Sequence, residues 1–207
     1  MAKTLTFLVF MFVFVFASGF IAGYFLDRVG ITYTQSEMDV LRNEIESMQL
    51  QEMFVSGEPA DCKLIYSAMG KNSYDLYNLV DKLKTTSPDS AEFAQIKIDA
   101  DLLSLRAWMI AKKVKKTCSA DITPILFFYS ENCPGCEEQD AVLKSIKESN
   151  HDVYVYAIDY GSDEQAINLV KAAYDINSTP SIIIEDNLFG RLSASEMEEI
   201  ICENVSC

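Results

Sequence analysis

Hydrophobic positions divide the chain into three parts with different periodicities. Residues 5–26 carry no charge and are mostly Phe, Val, Leu and Ile; at about 1.5 Å per residue, a helix of that length spans a hydrocarbon core of roughly 30 Å. Residues 62–118 repeat apolar side chains at steps of three and four, which predicts helices. Beyond residue 119, short β-branched runs alternate with helical patterns. We therefore predict a membrane anchor at 1–28, a helical stalk and hairpin at 29–118, and an α/β domain at 119–207.

The apolar N-terminal segment is predicted to be an uncleaved, single-pass signal-anchor. Lys3 and the free amino terminus precede it, whereas Asp27 and Arg28 nearly cancel behind it. The positive-inside rule then puts the N-terminus in the cytoplasm and the rest of the chain outside. Ala17-Ser18-Gly19 offers cleavage by signal peptidase as an alternative, but apolar residues continue to Leu26, which a cleaved segment does not need. A cytoplasmic-facing anchor is the third alternative.

The segment after the anchor has an amphipathic helical pattern. Met38, Leu41, Ile45 and Met48 recur at helical spacing among charged residues. An amphipathic stalk helix that packs on the following hairpin is our preferred interpretation. The alternative is a two-heptad coiled coil that dimerises the protein at the membrane.

Two further helices are predicted to form an antiparallel hairpin. The first starts at Cys62 and its pattern weakens near Gly70, while the second starts at Pro88, after a Ser87 cap, and ends at Cys118. In such a hairpin the start of the first helix meets the end of the second. We therefore predict a structural disulfide between Cys62 and Cys118, with two free thiols as the alternative.

The C-terminal part alternates between strand and helix patterns in the order βαβαββα. The last helix opens with Ser193 and Glu196 at the spacing of a capping box. The predicted elements are strand Ile125–Tyr129, helix Pro134–Ser149, strand Asp152–Ile158, helix Ser162–Tyr174, strand Ser181–Ile184 and strand Leu188–Leu192.

The chemistry of the chain is concentrated in Cys133-Pro134-Gly135-Cys136, which lies between the first strand and the first helix of this domain. The partial positive charge and free N–H groups of a helix N-terminus favour a thiolate at Cys133. Two cysteines three residues apart can also close a small, reducible ring, so the motif predicts thiol–disulfide exchange. Four carboxylates flank the motif in sequence and oppose the helix dipole, namely Glu131, Glu137, Glu138 and Asp140.

A CxxC at the first strand–helix junction, followed by Thr179-Pro180 before another strand, resembles the thioredoxin superfamily over residues 119–207. The resemblance implies that Pro180 is a cis-proline that faces the CxxC and shapes the substrate groove, and that the backbone of Thr179 pairs with a bound peptide. It also implies that Cys133 is the attacking thiol and Cys136 the resolving one.

The chain departs from thioredoxins proper at three places. Phe127 replaces their buried strand carboxyl, Asn132 replaces their tryptophan, and the two residues between the cysteines are reversed. These departures disfavour a general cytosolic role and are compatible with a dedicated extracytoplasmic partner.

The cysteine count favours an oxidising compartment. Six cysteines in an exported chain suggest disulfides. Cys202 and Cys207 form either a local structural disulfide or a second redox pair that relays electrons. A zinc site is disfavoured because a Cys-x4-Cys spacing is a poor second half for a CxxC. We expect no metal and no cofactor.

The charge of the C-terminal part limits the classes of partner that the protein is expected to bind. Residues 119–207 contain 17 acidic and 4 basic side chains, which disfavours nucleic acid. We predict a membrane-tethered oxidoreductase that acts on the thiols and disulfides of exported proteins. A membrane redox partner, either a quinone-linked oxidase or a transmembrane electron carrier, would recycle it. The alternative is a redox-inert adaptor that uses the same fold to bind a membrane partner.

Overall fold

A computed structural model describes residues 61–204, so the predicted anchor, the predicted stalk and Cys207 lie outside the described residues. The described part begins with two long helices, α1 (Cys62–Thr85) and α2 (Ala91–Cys118). Asp61 caps α1 by accepting a hydrogen bond from the N–H of Lys63 at 2.9 Å. Within residues 61–204, no helix is both long and apolar enough to cross a membrane.

The hairpin helices differ from the prediction at two places. The second helix starts at Ala91, three residues later than predicted, because the hydroxyl of Ser90 accepts a hydrogen bond from the N–H of Phe93 at 3.1 Å and is the N-cap. Pro88 therefore lies in the turn before the helix. Helix α1 continues without a break through Gly70.

A four-stranded mixed sheet follows the hairpin in the order β2-β1-β3-β4. Strand β1 pairs in parallel with β2 and antiparallel with β3, which pairs antiparallel with β4. Strand β1 lies inside the sheet and is covered on both faces. This position explains why its sequence is a continuous apolar run. The strands are β1 (Thr123–Tyr129), β2 (Val153–Asp159), β3 (Ser181–Ile184) and β4 (Asn187–Phe189).

Three helices connect or follow these strands, and the order from residue 119 onward is βαβαββα. Each element lies within three residues of its predicted bounds. The largest differences are at the second of these helices, which starts at Gln165 instead of Ser162, and at β4, which ends at Phe189 instead of Leu192. Polar residues and Gly190 follow this strand and carry the chain into the last helix. The helices are α3 (Cys136–Ser149), α4 (Gln165–Ala173) and α5 (Ala194–Asn204).

Alternate residues of β1 contribute to two apolar clusters, one on each face of the sheet. Leu126 and Phe128 belong to the cluster that contains buried residues of the hairpin. Ile125 and Phe127 belong to the other cluster, which contains Cys136 and residues of α3 and α5. This follows from the two-residue period of a strand. The hairpin therefore shares a core with the sheet.

Candidate active site

The two cysteines of the CxxC motif lie where β1 is followed by α3. Cys133 lies in the loop and Cys136 is the first residue of the helix, and the two form a disulfide with a Cα–Cα distance of 5.4 Å. Gly135 has a φ of 95° and is the N-cap residue of α3, a backbone conformation that favours glycine. The sequence thus places both sulfurs at the positive end of a helix dipole.

The two cysteines differ in their access to solvent. Cys136 is 7 % exposed and belongs to the apolar cluster that includes Phe127 and Leu143. Cys133 is only partly buried and packs at the edge of the same cluster. An external thiol or disulfide can therefore approach Cys133 more readily than Cys136. Phe127 makes the interior behind the two cysteines apolar. It stands at the position where the thioredoxins that the sequence resembles have a buried carboxyl group.

The loop before β3 contacts the loop that carries Cys133 and Cys136. The hydroxyl oxygens of Ser130 and Thr179 are 2.9 Å apart, within hydrogen-bond distance. The peptide bond between Thr179 and Pro180 is cis. The structure therefore brings Thr179 and Pro180 to the end of the sheet where Cys133 lies.

A charged cluster that the sequence analysis did not identify lies at the same end of the sheet. Lys97 of α2 forms ion pairs with Asp159 at 2.5 Å and with Glu131, two residues before Cys133, at 3.3 Å. Burial lowers the pKa of Lys97, but the hydrogen bond and negative charge of Asp159 outweigh it and raise the pKa overall. Lys97 thus links the hairpin to the loop that carries Cys133 and Cys136.

Asp101 completes this cluster one helical turn after Lys97. Its side chain accepts a hydrogen bond from the backbone N–H of Asp159 at 3.1 Å. Burial raises the pKa of Asp101 to about 6, and burial together with the charge of Asp101 raises the pKa of Tyr129 to about 12. The sequence contains one signal for this cluster. Lys97 and Asp101 lie one helical turn apart, next to the apolar residues Ile96 and Ala100.

The other described cysteines lie on helices α1, α2 and α5. Cys62 and Cys118 form a disulfide with a Cα–Cα distance of 5.7 Å, which joins the start of α1 to the end of α2. Cys202 is exposed on α5. Because Cys207 lies outside the described residues, both interpretations of that pair remain predictions.

Other candidate groups contribute little to a site. Among residues 61–204, no group of three or more His, Cys, Asp or Glu side chains is arranged to hold a metal ion. His151 is exposed in the turn before β2. Trp108 of α2 is only 4 % exposed and packs edge-to-face against Tyr174.

Comparisons with known proteins leave the family open. No family model matches the chain, and no curated protein does. Among solved structures, one described as "Structure of a malarial protein" is similar over 40 % of this chain and 97 % of its own, with 16 % sequence identity and a TM-score of 0.35. A likeness this weak identifies neither a family nor an activity.

Proposed function

We propose that the protein is a thiol–disulfide oxidoreductase with a thioredoxin-like domain, tethered to a membrane by residues 1–28 and acting outside the cytoplasm on exported proteins. The observation that carries the proposal is the disulfide between a partly exposed Cys133 and a buried Cys136 at a helix N-terminus. An accessible first sulfur and a sheltered second one suit sequential attack and resolution.

In the reducing direction, the Cys133 thiolate attacks one sulfur of a substrate disulfide. A mixed disulfide forms, and the other substrate sulfur leaves as a thiolate that takes up a proton. Cys136, deprotonated, then attacks the sulfur of Cys133 and releases the second substrate thiol. The substrate gains two electrons and two protons, and the Cys133–Cys136 pair loses them. The same steps in reverse oxidise a substrate dithiol.

A membrane partner would return the pair to its starting state. A transmembrane dithiol carrier supplies two electrons and two protons to a reductase, whereas a quinone-linked oxidase removes them from an oxidant. The chain is acidic around the pair, and carboxylates disfavour the thiolate. The direction of the reaction depends on the balance between those carboxylates and the helix dipole.

The order βαβαββα and the position of the Thr179–Pro180 loop support a thioredoxin-like domain. The contact between Ser130 and Thr179 supports a substrate groove between the two loops. A peptide lying there would have its cysteine beside Cys133 and its backbone beside Thr179.

The proposal is tested by trapping the mixed disulfide in the full-length protein. In Cys136→Ser, the attack at Cys133 is not resolved, so exported proteins should stay attached and be released by dithiothreitol. The matched control is Cys133→Ser, which should trap nothing. If neither variant traps a protein and Cys133→Ser retains full function, the pair is not catalytic and the adaptor alternative is favoured.

The reduction potential of the wild-type pair then gives the direction. Equilibration with glutathione and alkylation mass spectrometry measure it directly. A value near about −120 to −180 mV indicates an oxidant or isomerase, and one near about −270 mV indicates a reductase supplied with electrons.

A further inference from the structure

The side chain of Arg191 lies beside Gly135, in the loop between Cys133 and Cys136. Arg191 lies between β4 and α5 and is the only arginine after residue 118. A Cβ atom placed on Gly135 would be 3.4 Å from Nη1 of Arg191 and 3.5 Å from its Cδ. The guanidinium group therefore lies beside the peptide segment that separates the two sulfurs.

Two contacts hold Arg191 in this position. Its guanidinium forms an ion pair with Glu138, in the first turn of α3. The next residue, Leu192, donates its backbone N–H to the side-chain oxygen of Gln139 at 2.8 Å, and Gln139 is buried. The segment between β4 and α5 is thus attached to the helix that begins at Cys136.

The charges around Arg191 give it an electrostatic effect on the redox pair. Glu137 and Glu138 occupy the first turn of α3, where their negative charge opposes a thiolate at Cys133. The single positive charge of Arg191 offsets the negative charge of Glu138, and the guanidinium group lies beside the loop. Since both Arg191 and Glu138 are more than half exposed, the effect is screened by salt and moderate in size.

We propose that Arg191 is a positioning residue that raises the reduction potential of the Cys133–Cys136 pair, and that Glu138 opposes it. This inference rests on the proposed function, because it requires a pair that cycles between disulfide and dithiol. Reduction converts the disulfide and two glutathione thiols into the dithiol and one glutathione disulfide. In the dithiol, the negative charge of an ionised Cys133 is stabilised by the guanidinium, which favours the reduced form.

The test is a charge series in the full-length protein at low ionic strength. The equilibrium constant for reduction by glutathione should fall about three- to tenfold in Arg191→Gln, or about 15–30 mV. It should rise in Glu138→Gln by a similar factor. The double variant and Arg191→Lys should both lie close to the wild type. Alkylation of Cys133 at fixed pH should slow in Arg191→Gln and accelerate in Glu138→Gln.

Lys144→Gln is the matched control. Lys144 pairs with Asp140 on the exposed face of α3, eight residues after Cys136 and so about 12 Å further along the helix. The Lys144→Gln substitution changes the net charge by the same amount as Arg191→Gln, but at a position away from the sulfurs. It should therefore change the equilibrium constant less than about twofold.

Three results would overturn the inference. If Arg191→Gln and Glu138→Gln shift the constant in the same direction, or neither shifts it, Arg191 only attaches the loop. An equal shift in Lys144→Gln would mean that net charge alone acts. If the wild-type pair never exchanges with glutathione, both this inference and the proposed function are wrong. If it exchanges normally but the charge variants have no effect, only this inference is wrong.

Discussion

The carboxylate of Asp101 accepts a hydrogen bond from the backbone N–H of Asp159 at 3.1 Å. Strand β2 is an edge strand, and its pairing with β1 uses alternate backbone groups, so every second N–H points away from the sheet. Tyr160 donates its N–H to Tyr129 on β1; the N–H of Asp159 therefore points outward. Asp101 accepts the hydrogen bond from that N–H at the free edge of the sheet. This contact attaches the hairpin to the sheet.

Replacement of Asp101 by Asn should make the protein's stability less sensitive to pH. The pKa of this carboxyl is raised from 3.8 to about 6 in the folded protein, chiefly by burial. The folded state therefore binds the proton more tightly than the unfolded chain. That contribution to stability is complete below about pH 3.8 and is lost as the pH rises through about 6. The Asn amide oxygen can still accept the hydrogen bond from Asp159.

Relative to the wild type, Asp101→Asn should gain about 1–2 kcal/mol of unfolding free energy between pH 4 and pH 7. Urea unfolding at unit pH intervals measures this difference. Parallel stability profiles for the two proteins would show that Asp101 does not titrate in this range.

Lys97 should matter more to stability through Asp159 than through Glu131. The side chain of Asp159 is only 13 % exposed, whereas that of Glu131 is 79 % exposed. Removal of Lys97 leaves a largely buried carboxylate without its ion pair, which is costly. We expect Lys97→Met to lower the unfolding free energy by about 2–3 kcal/mol and Glu131→Gln by less than about 0.5 kcal/mol.

The two variants are compared by urea unfolding at pH 7. Equal losses would mean that the exposed ion pair stabilises the protein as much as the buried one. That result would contradict the expectation that the buried ion pair contributes more to the unfolding free energy than the exposed one.

The periodicity of the chain was enough to predict the order of elements but not the contacts between them. The short apolar run of residues 125–129 and the helical steps after Pro134 indicate a strand and a helix on either side of Cys133. The hairpin could be predicted similarly, since its apolar stripe has helical spacing. These features depend on residues close in sequence.

The contacts around the site depend on residues far apart in sequence. Lys97 and Glu131 are 34 residues apart, and Arg191 and Glu138 are 53 apart. A helical pattern indicates which residues share a face, but not which side chains of a distant loop will meet that face.

The disulfide of the hairpin should be a large source of stability. Cys62 and Cys118 are separated by 56 residues, so their bond restricts a long loop of the unfolded chain. For that length the chain-entropy model gives about 4 kcal/mol. We expect Cys62→Ser/Cys118→Ser to lose about 2–4 kcal/mol in urea unfolding without reductant.

Cys133→Ser/Cys136→Ser is the matched control for the hairpin disulfide. Its loop spans only 3 residues, so the same model predicts a smaller loss, about 2 kcal/mol at most. A hairpin variant as stable as the wild type would mean that packing between α1 and α2 alone holds the hairpin.

Two glycines should respond in opposite directions to replacement by alanine. Gly135 has a φ of 95°, and an added Cβ would meet Arg191 at 3.4 Å. Gly70 lies in the exposed middle of α1, where an added Cβ meets nothing within 4 Å. Alanine is strained at the first position but favours the helix at the second. We expect Gly135→Ala to lose about 1–2 kcal/mol and Gly70→Ala to gain about 0.5–1 kcal/mol.

Thermal and urea unfolding of both variants measure these changes. The loss at Gly135 is expected to come from its backbone conformation, because a Cβ 3.4 Å from the flexible Arg191 side chain would make ordinary van der Waals contact. The loss should therefore be unchanged when Gly135→Ala is combined with Arg191→Ala. A smaller loss in that background would assign part of the effect to the Arg191 side chain, and a stable Gly135→Ala would mean that the loop between Cys133 and Cys136 does not require a left-handed residue before α3.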